Sequence, residues 1–452
     1  MVTYLLHEPA CPLCGHHDRE PLVPTVKFSD HGYATVLPAV SVSVCLNCGL
    51  IHEFPQVNLV ESKDYTEKHY YNQTNRIADH DAMQRRLNPL RWEVLQSRLP
   101  WSSINRAIDV GASGAWSAWV KQQHPSASSV LVEPSAEAIA WCRAEYPEVE
   151  AHHAIIETYR DPVGTCDLIT FFYSLYMLSD PLETLRRCHD LLSEEGRLVI
   201  CISHVLLETK IWGHGRVVPW VDMEFFVRGA PLVYYSRHSL ARMVETAGFH
   251  VLETLVDQLP TESEHNGRQE YYLIARRRKP DDPPAQPLSA PEHVAWSRSF
   301  VLDFCRRASE KSVALLFQSR PINRIHLVYD DAIYRDWVLD ILRPHGVPVE
   351  THRLDPANSG IPDGVRDEPG VVLLNSSPVA IGVGKFNAAA RHAHAAACVA
   401  PWKEGQYGYY ADVENGKRVF TKAFLPIRDH GADIFPFDVH PIDLVHPAPA
   451  SV

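Results

Sequence analysis

Two short stretches, CPLCG at Cys11–Gly15 and CLNCG at Cys45–Gly49, restrict the fold of this chain more than any other feature. Both have the form C-x2-C-G, with thirty residues between them. Two residues between the cysteines let both thiols of a turn face one ion. The glycine that follows can take the positive φ that such a knuckle needs. Two knuckles supply four thiolates, a closed tetrahedral set for structural Zn²⁺ with no position left for a substrate. Cys11, Cys14, Cys45 and Cys48 are therefore the expected metal ligands, and His16, His17 and His52 are not needed. A redox dithiol pair is the weaker reading, because the two motifs mirror each other. The intervening residues are rich in Val, Thr and Tyr and read as strands, which makes 1–60 a zinc ribbon.

The other six cysteines, Cys142, Cys166, Cys188, Cys201, Cys305 and Cys398, stand singly in apolar segments and read as buried, inert thiols. That usage suits a reducing compartment. The start of the chain has no signal-peptide pattern and no apolar run reaches membrane-spanning length, so a cytoplasmic protein without a membrane partner is expected. At 452 residues the chain is long enough for two or three domains, with 45% hydrophobic and 22% charged residues to build and solvate them. The formal net charge of -12 disfavours nucleic acid as a partner, since phosphate-binding faces are basic. The one dense basic run, ARRRKP at 275–280, reads as a solvated strand end.

From 61 to 280 helical and strand patterns alternate, as in an open parallel sheet of Rossmann-like α/β class. AIDVGASGAW at 107–116 reads as a buried strand, a glycine turn and a helix. The turn lies where ligands of such sheets bind, and Gly111, Ser113 and Gly114 keep it free of bulk. The next strand, SSVLVE, ends in Glu133 about twenty residues on. A carboxylate there accepts hydrogen bonds from both hydroxyls of a ribose and repels a 2′-phosphate. These features are common to sites for NAD and for S-adenosylmethionine (SAM).

The order of the remaining segments separates the two. IDVGASGAW, LVEPSAEAI and FFYSLYMLSDPLETLRRCHDLLSEEGRLVI resemble the successive motifs of class I SAM-dependent methyltransferases. With CPLCG, CLNCGLIHEFPQ and the Tyr-rich DYTEKHYYN ahead of them, they resemble zinc-ribbon methyltransferases, a group that includes sugar C-methyltransferases with a further α/β domain. The resemblance covers roughly 1–280, and the rest only in architecture. It implies a SAM-dependent enzyme acting on a small molecule such as a sugar nucleotide, glycan or secondary-metabolite intermediate. It also implies Asp109 at the SAM ammonium, Gly111, Ser113 and Gly114 in the loop, Glu133 at the ribose, and Ile156 and Tyr173 beside the cofactor. Ile155 and Ile156 replace the acidic and small residues usual there, so adenine would be read by backbone groups.

Methyl transfer needs a nucleophile aligned with the sulfonium methyl and a group to take its proton. His204, Glu224 and Tyr176 are the candidates, with Tyr173, Asp222, Tyr234, Tyr70 and Tyr71 as further possibilities on the same sheet edge. The Glu-His pair of the sugar C-methyltransferases is replaced by Ala230-Pro231, which favours O- or N-methylation. Trp212, Trp220, Phe225 and Phe226 make the long insertion after 202 a candidate lid. Two other readings stand beside the enzyme: a non-catalytic Rossmann scaffold and, disfavoured by charge, an RNA methyltransferase.

RKPDDPPAQPLSAPEH is proline-rich and charged, which makes 281–292 a linker and 293–452 a second α/β domain. Its strand–helix–strand unit at 323–355 carries Asp330 and Asp331 where a phosphate loop would have glycine, so a second nucleotide site is not expected. His392 and His394 are two apart and do not share a helix face. Substrate recognition or subunit contact is the expected role, and the oligomeric state is left open.

Overall fold

A computed structural model describes residues 6–7, 9–28, 34–54, 56–57, 77–202, 232–258, 269–301, 322–329, 332–353, 371–375, 395–398, 409–414 and 417–422. The chain divides into two compact units, the first made of 1–20, 43–210 and 231–297, the second of 21–42, 211–230 and 298–452. No described helix is long and apolar enough to cross a membrane.

The first unit is organised by seven strands: β1 Arg106–Val110, β2 Ser128–Glu133, β3 Glu150–His153, β4 Cys166–Phe172, β5 Leu192–Ile202, β6 Phe249–Gln258 and β7 Gln269–Arg277. Their order across the sheet is β6-β7-β5-β4-β1-β2-β3. The pairs β5–β4, β4–β1, β1–β2 and β2–β3 are parallel, and only β7 is reversed between β5 and β6. From β1 the chain winds outward through β2 and β3, then returns to the other side of β1 for β4. That reversal between β1 and β4 is where a parallel sheet opens a crevice at its carboxyl ends.

Both faces are covered, which is why the central strands read as almost unbroken apolar runs. On one face Val94 and Leu95 of α1 (Ile77–Leu95) and Trp116 and Val120 of α2 (Ala115–Gln123) pack on Ala107, Leu168, Phe172, Val199 and Tyr272. On the other, α4 (Pro181–Leu191) and α5 (Arg237–Thr246) lay Leu185, Cys188, Leu240 and Met243 on Ile108, Val110, Ile169, Phe171 and Ile200. Leu13 and Leu50 of the two knuckles join this second core. Between α2 and α4 in the chain, α3 (Ala136–Glu145) adds Ile139 and Cys142 beside Leu131.

Three of these helices start with a side-chain cap. Ser135 accepts the Ala138 N–H, Asp180 that of Glu183 ahead of Pro181, and Ser236 with Ser239 forms a capping box. By contrast, α2 starts at Gly114 in the left-handed region (φ 96°) with no side-chain cap.

The second unit contains a six-stranded sheet built from β8 (Arg324–Tyr329), β9 (Val349–Arg353), β10 (Val371–Asn375), β11 (Ala395–Cys398), β12 (Tyr409–Glu414) and β13 (Lys417–Lys422). Its order is β9-β8-β10-β11-β12-β13, parallel as far as β11 and antiparallel beyond. The helix α6 (Ala332–Leu342) links β8 to β9, the strand–helix–strand order expected over 323–355.

Two glycines test the packing against pure backbone demand. A Cβ at Gly114 would stand 2.4 Å from Cys142 Sγ, whereas at Gly164, also at positive φ (72°), nothing lies within 4 Å. Gly164→Ala is expected to cost about 1 kcal/mol, the left-handed penalty alone. Gly114→Ala should cost about 3 kcal/mol or more, because the clash adds to it. Urea unfolding of the two variants checks the difference.

Candidate functional site

The crevice at the β1–β4 reversal is framed by the loop 111–114, whose backbone is fixed from below. Gly111 sits at φ 75°, and a Cβ on it would come 2.8 Å from Ser174 Cβ. Ser174 donates its hydroxyl to the Val110 carbonyl at 2.6 Å, which ties the end of β4 to the end of β1. The two glycines of the loop are thus required by neighbouring protein atoms. Ser113, by contrast, is fully buried, and its hydroxyl has no hydrogen-bond partner among the described residues.

Two acidic side chains lie buried at this edge. Asp109, at the end of β1, accepts a 2.7 Å hydrogen bond from Thr170 through Oδ1, and its Oδ2 has no partner among the described residues. Burial pushes Asp109 up to about 6, against the pull of the Thr170 hydroxyl and the Arg91 charge. Glu133 ends β2 and accepts the Ser135 N–H at 2.7 Å. Burial pushes it further, to about 8, and the neighbouring Asp109 charge works the same way, while backbone N–H groups of Ser135 and Ala112 oppose it. Two carboxylates this deeply buried favour their neutral forms unless donors or positive charge come to face them.

A second cluster gathers the knuckles. Cys11 and Cys48 sulfurs are 3.6 Å apart, those of Cys14 and Cys45 3.5 Å, and all four fall within 4.8 Å of one another. A tetrahedral Zn²⁺ with Zn–S of about 2.3 Å requires S···S edges of about 3.8 Å. The four thiols therefore fit one such ion. The knuckles match in their hydrogen bonding: Gly15 N–H to Cys11 O at 2.9 Å and Gly49 N–H to Cys45 O at 3.0 Å, with φ of 70° and 75° at the glycines. The neighbouring His52 is fully buried, held neutral by burial that lowers it to about 4, and stands outside the sulfur set.

Residues 81–254 match the family profile described as a methyltransferase domain. The chain carries a class I SAM-dependent methyltransferase domain. No curated protein matches the sequence. Among solved structures, a SAM-dependent methyltransferase from Mesorhizobium loti shares 17% identity over 41% of this chain and 97% of its own, with a TM-score of 0.33. The mitomycin 7-O-methyltransferase shares 18% over 48% of this chain and 60% of its own (TM-score 0.36). A [4+2]-cyclase shares 16% over 43% and 80% (TM-score 0.33).

The methyltransferase domain holds one network that the sequence pattern conceals. Asp81, Gln84, Asn88 and Arg91 recur at three- and four-residue spacing on α1, which reads as a solvent stripe, yet all four are buried. Arg91 and Glu270 of β7 form an ion pair at 3.7 Å with no exposure on either side. Gln84 accepts from Arg91 Nη1, and the Tyr272 hydroxyl donates to Glu270. The guanidinium also lies 4.3 Å from the Phe172 ring centre and 4.9 Å from that of Tyr173, so it reaches the end of β4. Tyr173 itself takes φ 63°, a left-handed backbone rare for a side chain of its size, and donates its N–H to Cys201 O at 3.0 Å. Strain at such a point is characteristic of functional edges.

Of the residues expected from sequence, Asp109, Gly111, Ser113, Gly114, Glu133 and Tyr173 all fall on or beside the ends of β1, β2 and β4. Ile156 is different: its side chain is buried in the core of the α4–α5 face. Tyr176 lies in a single turn after β4 and is half-buried, its carbonyl accepting the Leu232 N–H at 2.8 Å. Tyr234 pairs with Ile51 beside the second knuckle, and burial raises its hydroxyl well above its ordinary value. His204, Glu224, Asp222, Tyr70, Tyr71 and the aromatic residues of the candidate lid lie outside the described residues.

The buried pair yields a sharp expectation. Arg91→Met strands the Glu270 carboxylate and should lower stability by about 3–5 kcal/mol. Arg91→Met combined with Glu270→Leu should recover most of that loss in the same urea titration.

Proposed function

We propose that the methyltransferase domain moves the SAM methyl to an oxygen or nitrogen of a small molecule, with structural Zn²⁺ held by Cys11, Cys14, Cys45 and Cys48. SAM, when bound, supplies a methyl group on a positively charged sulfur. The observation that carries the reading is the pair of buried carboxylates at the carboxyl ends of β1 and β2, beneath a helix whose first turn has no side-chain cap. In this reading Glu133 accepts the ribose hydroxyls and Asp109, through its unpartnered Oδ2, receives the cofactor's ammonium. Gly111 and Gly114 keep the loop flush, and Tyr173 closes the edge on the β4 side. Small-molecule rather than nucleic-acid substrates are supported by the -12 net charge and by a crevice whose described groups are acidic. Tyr176, His204 and Glu224 remain the proposed proton acceptors for the incoming nucleophile, a role for which O- or N-methylation asks only a modest base.

The carboxylate chemistry fixes a pH dependence. Free protein holds a proton on Glu133 up to about pH 8, while ribose hydroxyls donate to the ionised form. Cofactor binding therefore releases a proton, and the affinity for SAM or S-adenosylhomocysteine should rise roughly tenfold per pH unit from about 6.5, levelling off near 8. The sign for stability is the reverse. Its folded value lies above the ordinary 4.5, so the free protein loses stability from this group as pH climbs from 4.5 to about 8. Glu133→Gln is expected to weaken binding at least about tenfold at pH 8, to flatten the pH slope, and to raise the free protein's Tm at pH 8. Calorimetry across about pH 6.5–8.5 decides; no SAM binding by the wild type would overturn the reading.

Metal content tests the second half. Cys45→Ser with Cys48→Ser should lose one equivalent of zinc per chain by elemental analysis and unfold the knuckles, seen as a lower Tm. A wild-type chain whose four thiols all react freely with a thiol reagent after zinc loading would refute it.

A further inference from the structure

We infer that the second unit carries a divalent transition-metal site made by His326, Glu350 and His352. It is separate from the four cysteines and independent of the methyltransferase reading. The parallel pairing of β8 with β9 sets His326 opposite Glu350 and Val328 opposite His352. Side chains two apart on a strand share a face, so the three groups stand on one side of the sheet. Ile325 and Leu327, the buried neighbours of His326 on β8, point to the other side.

The distances are compatible with one shared cation. His326 Nδ1 lies 2.9 Å from His352 Nε2 and 3.6 Å from a Glu350 carboxylate oxygen, and the three ligand atoms all lie within 4.8 Å of one another. A single shared proton accounts for the two imidazoles but not for the carboxylate beside them, which also faces Arg324 Nη1 at 3.5 Å through its other oxygen. An ion with metal–nitrogen bonds of about 2.1 Å at a right angle needs nitrogens about 3.0 Å apart, and the carboxylate completes one face of its coordination sphere. Two imidazoles and one carboxylate suit Zn²⁺ and its neighbours Co²⁺ and Ni²⁺, in contrast to the thiolate set at the N-terminus.

The burial of the three groups is graded. His326 is 5% exposed, while the Glu350 side chain is 51% exposed on the edge strand β9. An ion held here is anchored from inside and open on the Glu350 side. Three protein ligands leave at least one coordination position for water or an anionic ligand, which a closed structural site does not.

The test uses the untagged full chain with zinc already on its thiolates. Mild chelation followed by titration with Zn²⁺ should show one further equivalent, and Co²⁺ at that equivalent should give weak ligand-field bands without thiolate charge transfer. His352→Ala should weaken this binding at least about tenfold, and Glu350→Gln by a smaller factor, with the thiolate-bound equivalent and SAM affinity unchanged. Because His326 is buried and its loss could unfold the strand, the two β9 variants decide between the outcomes, with far-UV circular dichroism reporting their folding. The inference fails if no second equivalent binds, or if it binds equally to wild type and both folded variants.

Discussion

Two carboxylates in one dry crevice are a constraint the rest of the first unit has to satisfy. Asp109 and Glu133 end adjacent parallel strands, and parallel strands end together because β1 and β2 are in register from Arg106↔Ser128 to Val110↔Val132. The fold cannot separate them without giving up the ladder. Water does not reach them, so each is pushed toward its protonated form and each gains from a donor or a cation. Arg91 supplies part of that field from α1, but its own partner is Glu270, on the far side of β4 and β5. In the proposed reading, the remaining hydroxyl donors and positive charge come from the cofactor. An adenosyl sulfonium has both.

That arrangement explains which parts of the site are legible in the sequence and which are not. Strand ends and tight turns are local, so IDVGASG and LVEP mark the turn at Gly111 and Gly114 and the strand end at Glu133, while Asp109 enters through the resemblance to methyltransferase motifs. The reason for the glycines is not local. Gly114 is required by Cys142, well over twenty positions on, and Gly111 by Ser174, partners that only the folded sheet brings near. Arg91 escapes notice for a stronger reason. A polar residue at every third or fourth position is the signature of a wet helix face, and nothing local distinguishes a stripe that faces solvent from one that faces a charged partner on another strand. Ile156 packs its side chain in the α4–α5 core, which leaves only its backbone for the adenine contact that the resemblance implies.

The proline-rich stretch after 278 illustrates how composition and geometry part company. Prolines and charges at 281–292 describe chain that forms no core, and most of it is exposed. Its end is nevertheless fastened. Ala290 donates its N–H to Asn47 O at 2.8 Å, Ser297 donates to Gly49 O at 2.7 Å, and His293 meets the Ser236 hydroxyl at 3.0 Å. A Cβ at Gly49 would strike the His293 backbone at 2.7 Å, whereas one at Gly15 meets nothing. The second knuckle is therefore a docking surface for the returning chain, and its glycine serves packing as well as φ.

The same contacts connect the four cysteines to the crevice through rigid backbone. Ile51–Phe54, which follows the second knuckle, pairs with Val233–Tyr234, and Glu53 donates its N–H to Leu232 O at 2.9 Å. Leu232 in turn donates to Tyr176 O at 2.8 Å, in the turn that follows β4. Each link is a main-chain hydrogen bond in the protein interior, which yields only by breaking. Four thiols drawn onto one ion would hold the first link, and the turn bearing Tyr173, Ser174 and Tyr176 would be held through it. A structural metal at the four cysteines would then act on the geometry of the β4 edge through a strand of four residues.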